Sequence, residues 1–152
     1  MLISNRLLIG ALRELGWTED RHVAVDPWVA KLEASGQRMN KYSLDVLASL
    51  GGLTLDPWSK WRGQVTTNWK IFFDPLLAGE GWWERWLGTN LSPLGECTQS
   101  GAHGYEWALY IASDGRLFGM YDQISCFGND FEDSLSSASM LICPTQWHHL
   151  RY

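Results

Sequence analysis

The sequence predicts an α+β fold in one domain, residues 1–152. Two observations carry this prediction: capped helices crowd the first third of the chain, and the hydrophobic spacing then shifts from a helical to an alternating period. A third is a last capped apolar stripe that begins near Phe131. Helices, then a mostly antiparallel meander, then a helix is the order of an α+β domain and not of alternating βαβ units. With 45% apolar and 19% charged residues among 152, the chain can bury one sizeable core and is not disordered.

The first helix places Leu7, Leu8, Ala11, Leu12 and Leu15 on one stripe, with Ser4 as its expected N-cap and Gly16 as its stop. Asp26-Pro27 opens the second, a capping side chain followed by proline at the first helical position. Trp28, Val29 and Leu32 give that helix an apolar face, and Gly36 closes it. The third runs from about Asn40 or Ser43 through Leu44, Leu47 and Leu50 to Gly51-Gly52.

Beyond Leu53 the chain reads as strands. Leu53–Leu55 forms a short one, 56–64 is a loop carrying Trp58 and Trp61, and Val65–Thr67 with Trp69–Phe73 is β-branched and aromatic. Glu80–Leu87 is expected to be a short helix, Ser92–Gly95 a turn or strand entry, and Gln99–Gly104 an exposed loop. Tyr105–Ala112 and Arg116–Tyr121 form a hairpin about Asp114-Gly115, the dipeptide that supplies positive φ in tight turns. Ile124–Phe127 adds a further strand. Asn129 or Asp130 then caps the last helix, with Phe131, Leu135, Ala138, Leu141 and Ile142 on one face.

Gly16-Trp17 with Arg21, Gly51-Gly52-Leu53, Phe73-Asp74, Pro93-Leu94-Gly95-Glu96, Asp114-Gly115-Arg116-Leu117-Phe118 and Gly128 follow one another in a set order. In that order the chain resembles the SUKH superfamily, most closely its third subfamily of bacterial immunity proteins, over about residues 5–145. The resemblance implies a SUKH-like single domain: a mixed, mostly antiparallel sheet of about six strands with helices packed around it. It also implies an intracellular protein that binds and neutralises the toxin domain encoded beside it, without catalysis. The tryptophan load and the segment Trp82-Trp83-Glu84-Arg85-Trp86 depart from a typical member.

Composition narrows the function further. A net charge of -5 argues against a nucleic-acid surface, which needs clustered Lys and Arg. The apolar run Leu7–Leu12 is too short for a signal-peptide core or a membrane span. Cys97, Cys126 and Cys143, odd in number and widely spaced, read as reduced thiols of a cytoplasmic protein. Cys143 with His148 and His149 lacks the ligand spacing of a metal site and reads as a tail with two surface histidines. Asp130, Glu132 and Asp133 are better placed to stabilise a helix N-terminus than to work as paired acid and base. We therefore expect no catalytic residue, no metal and no cofactor.

Two features are expected to meet a protein partner. From Asp114 to Asp133 the chain carries Asp114, Asp122, Asp130, Glu132 and Asp133 against Arg116 alone, an acidic patch that would steer a basic toxin such as a nuclease and block its groove. The second is aromatic: Trp58 and Trp61 in a polar loop, and Trp82, Trp83 and Trp86 on a helix too short to bury all three. The same tryptophans could instead line a glycan or small-molecule cleft, a reading that a flat fluorescence titration with sugars and nucleotides would exclude. Trp58→Ala, Trp61→Ala or Trp83→Ala is expected to weaken partner binding with the melting temperature nearly unchanged, whereas Trp17→Ala unfolds the domain. Thermal melts run beside a binding assay check both.

Overall fold

The computed structural model describes residues 3–55, 68–78, 91–100, 105–120, 124–138 and 148–149. Three helices come first: α1 (Arg6–Glu14), α2 (Asp26–Ala34) and α3 (Lys41–Leu50). Strands β1 (Thr54–Leu55) and β2 (Asn68–Phe72) follow, then a 3-10 turn (Pro75–Leu77), β3 (Leu91–Ser100), β4 (Tyr105–Ala112), β5 (Leu117–Met120) and β6 (Ile124–Cys126). Helix α4 (Phe131–Ala138) and a two-residue strand β7 (His148–His149) complete the described chain. The sheet runs β1-β2-β3-β4-β5-β6-β7, each strand antiparallel to the next. This is the α+β meander that the sequence predicts.

Alternation along the strands divides the sheet into two faces. On β4, Leu109 and Ile111 join Leu94 and Cys97 of β3 and Ile71 of β2 in the main core, which the helices cover. Leu8 and Leu12 of α1, Val46, Leu47 and Leu50 of α3, and Phe131 and Leu135 of α4 fill it, with half-buried Trp28 of α2 packed alongside. The intervening residues, Tyr110 and Ala112 with Phe118, Met120 and Ile124, form a smaller cluster on the opposite face. There the Tyr110 hydroxyl donates to the Ala78 carbonyl at 3.0 Å.

Helix α3 is held at both ends. At its start Asn40 accepts from the Ser43 N–H at 2.8 Å, capping the helix, while its amide donates to the Ile111 carbonyl of β4 at 3.0 Å. The Asn40 N–H donates to buried Ser92, whose hydroxyl donates to the Arg38 carbonyl. At its end the carbonyls that every helix leaves orphaned all find donors. Gly51 N–H takes Leu47, Val23 N–H takes Ala48, and Leu53 N–H takes Leu50. The Arg21 guanidinium donates to the Ser49 and Gly51 carbonyls, both at 2.9 Å.

Trp17 connects α1 to the same point. Its N–H and that of Gly16 close α1 on the Leu12 and Arg13 carbonyls, the double bond of a Schellman stop. The indole is then 3% exposed and donates to the Ser49 hydroxyl at 2.9 Å. Gly52 N–H donates to the Phe73 carbonyl and Phe73 N–H to Leu53, which fastens the end of α3 to the end of β2. Two of the sequence motifs, Gly16-Trp17…Arg21 and Gly51-Gly52-Leu53, are therefore halves of one joint.

Several local expectations need correction. Asn5, not Ser4, caps α1: its side chain accepts from the Leu8 N–H at 3.2 Å, while Ser4 bonds Glu132. Asp26 lies inside α2 and Val25 is the N-cap, with no side-chain cap bond. Of the two readings of residues 92–95, turn or strand entry, the strand holds, while Gln99-Ser100 belong to no loop. All lie in ten-residue β3, which absorbs Pro93 through a bulge between Pro93 and Gly95. Among the described residues no strand other than β4 pairs with β3 at Pro93, since β2 pairs with Glu96–Ser100, so the missing N–H costs little there.

His148 and His149 do not form a tail. Their backbone pairs with Cys126 and Ser125 as β7. The expected helix 80–87, strand 65–67 and loop 101–104 lie outside the described residues, as do Leu141 and Ile142.

Gly95 shows why the bulge needs glycine. A Cβ there would stand 1.9 Å from the Phe72 carbonyl oxygen, a rigid backbone atom that cannot move aside. Gly95→Ala is expected to stop the chain folding to its native sheet, read as loss of the cooperative melt. Arg21→Ala removes two charge-assisted hydrogen bonds, each worth about 1.5–3 kcal/mol net of exchange with water. The melting temperature should drop by several degrees, since each kcal/mol moves a chain of this size by roughly 2–4 °C. Trp17→Ala should cost a comparable amount, about 3–5 kcal/mol. Differential scanning calorimetry in which either variant melts like the parent would contradict this account.

Candidate functional site

The turn of the β4–β5 hairpin, the start of α4 and the first turn of α3 meet at one end of the domain, around Tyr42. Asp-Gly chemistry makes the hairpin tip. Gly115 has φ 90°, and the Asp114 carboxylate folds back on Arg116, accepting from its N–H at 3.1 Å and its Nε at 2.8 Å. The Arg116 guanidinium also lies 5.4 Å from the centre of the Phe118 ring. A Cβ on Gly115 would meet the Tyr42 ring at 2.8 Å, so the bare glycine lets Tyr42 lie against the turn. The other side of Tyr42 packs on Phe131 of α4, ring centres 5.9 Å apart and tilted by 55°.

Carboxylates ring this tyrosine. Burial pushes its phenol above the ordinary value, and the charges of Asp130, Glu132, Asp45 and Asp114 push it further, in that order. Three elements that are distant in sequence thus bring their acids within electrostatic reach of one hydroxyl. Of the acidic stretch from Asp114 to Asp133, Asp114, Asp130 and Glu132 act on this hydroxyl, and α3 contributes a further carboxylate, Asp45, from far upstream.

The acids also hold the structure together. Asp130 caps α4, accepting from the Asp133 N–H at 2.9 Å, and Asp133 reaches back to the Asn129 N–H at 2.9 Å. This is close to the reciprocal bonding of a capping box. Glu132 accepts from the Ser4 N–H and, at 3.2 Å, from the Ser4 hydroxyl, so a carboxylate of α4 sits at the N-terminal end of α1. That is the end of a helix where negative charge is favoured. The charge of Asp133, like that of Asp114, acts on the Cys126 thiol.

Of the residues expected to bind a partner, Asp130, Glu132 and Asp133 therefore lie at this end. Trp58, Trp61, Trp82, Trp83, Trp86 and Asp122 lie outside the described residues. Tyr42 and Asp45 escaped the sequence reading because nothing in helix α3 distinguishes them from ordinary half-exposed helical residues. Their i, i+3 spacing places both toward one side of the helix.

The remaining chemistry is sparse among the described residues. No group of His, Cys, Asp and Glu there is arranged to hold a metal ion. Cys97 and Cys126 are free thiols, and burial raises the pKa of both, which leaves them weak nucleophiles at neutral pH. No helix among the described residues is long and apolar enough to cross a membrane.

The fold and its acidic end define an α+β scaffold with one strongly charged end. Residues 6–138 match the SUKH-3 immunity protein family, and the chain belongs to it. No curated protein and no solved structure gives a significant match.

The environment of Tyr42 has a measurable consequence. Its folded pKa is raised, so the folded state keeps the phenolic proton after the unfolded chain has lost it. Stability is full below the unfolded value near 10.0 and is lost as the pH climbs through the raised folded value. Tyr42→Phe is expected to melt like the parent at neutral pH and to resist alkaline destabilisation above pH 10. Denaturant melts at a series of alkaline pH values that fall equally for both chains would contradict it.

Proposed function

We propose that this chain is an intracellular immunity protein that neutralises a cognate toxin domain by binding and occluding it. Membership of the SUKH-3 family carries this reading. The Tyr42 end supports a basic partner. Asp45, Asp114 and Asp130 are exposed there, Glu132 is half-buried, and the charges of all four act on the half-buried Tyr42. Complementary charge of this kind raises association rates and selects partners, and a tyrosine fixed by packing is a suitable anchor for contact. A nuclease toxin is the partner this surface fits best, because a nucleic-acid groove must be basic and a carboxylate-rich end would cover it. The protein acts by occupying that groove and performs no reaction of its own.

The test is co-expression with the toxin encoded beside it. Growth rescue and co-elution on size exclusion are expected; no rescue and no complex would overturn the reading. The acidic end is tested separately by Asp45→Asn and Asp130→Asn. Asparagine caps a helix about as well as aspartate, so Asp130→Asn removes charge and keeps the hydrogen bond to Asp133. Each variant should melt within a few degrees of the parent yet associate with the toxin several-fold more slowly at low salt, with the difference shrinking as salt is added. Association rates unchanged in both variants would move the interface elsewhere on the domain.

A further inference from the structure

We draw no further inference here: the strongest candidate, the apolar cluster of Tyr110, Phe118, Met120 and Ile124 on the sheet face turned away from the described helices, is buried, and beyond Ala78 at the end of the 3-10 turn and the Arg116 guanidinium over Phe118 nothing among the described residues shows what covers it.

Discussion

The Arg21 guanidinium bound to the last carbonyls of α3 is the interaction on which the arrangement of this domain depends. Helix α3 contributes Val46, Leu47 and Leu50 to the main core, and its last carbonyls lie at a part-buried end. An unpaired buried carbonyl costs as much as a lost hydrogen bond. Arg21 removes that cost at two positions at once with the rigid fork of donors that only arginine offers. Trp17 fixes the loop that carries Arg21, first by closing α1 and then by donating to Ser49. The end of α3 then hands the chain directly to β1 and, through Gly52 and Phe73, to the end of β2.

With its C-terminal end set by Arg21 and its N-terminal end tied to β4 and Ser92 through Asn40, α3 has little freedom to rotate over the sheet. This constraint orients Tyr42 and Asp45. Tyr42 lies in the turn immediately after the Asn40 cap, so the bonds that seat the helix also set where its ring meets Gly115 and Phe131. The acidic end is thus a product of core architecture. Its carboxylates are ordered by backbone N–H groups: Asp130 and Asp133 by α4 itself, Glu132 by Ser4. Anions placed at helix N-termini contribute about 0.3–1 kcal/mol each to stability. An acidic surface built in this way lowers its own tendency to repel itself apart, and keeps its side chains in place before any partner arrives.

The β3 strand shows a local signal losing to a tertiary one. Pro93 and Gly95 are turn residues by propensity, and Ser92–Gly95 reads as a turn or a strand entry. Yet the strand continues through them, because neighbouring β4 offers partners to both sides of a bulge and β2 begins only at Glu96. The same motif residues then acquire a second purpose. Leu94 is fully buried in the main core, and Gly95 admits the Phe72 carbonyl where no side chain would fit. Ser4 and Asp26 failed as caps for a related reason. In the first segment the packed geometry selects Asn5 over Ser4, and in the second it leaves α2 without a side-chain cap.

By itself the sequence determined the helix stops, the hairpin about Asp114-Gly115 and the period of each strand, since these depend on backbone conformation and on contacts a few residues apart. It also determined, through the ordered turn motifs, the family to which the chain belongs. The meeting of Arg21 with Ser49 and Gly51, and of Tyr42 with Asp114, Asp130 and Glu132, was decided only by the tertiary structure. Arginine and aspartate carry no local sign of which distant carbonyl or ring they will face. Coulomb and hydrogen-bond energies depend on separation in space, and burial of the core alone brings residues seventy or more positions apart within reach of each other.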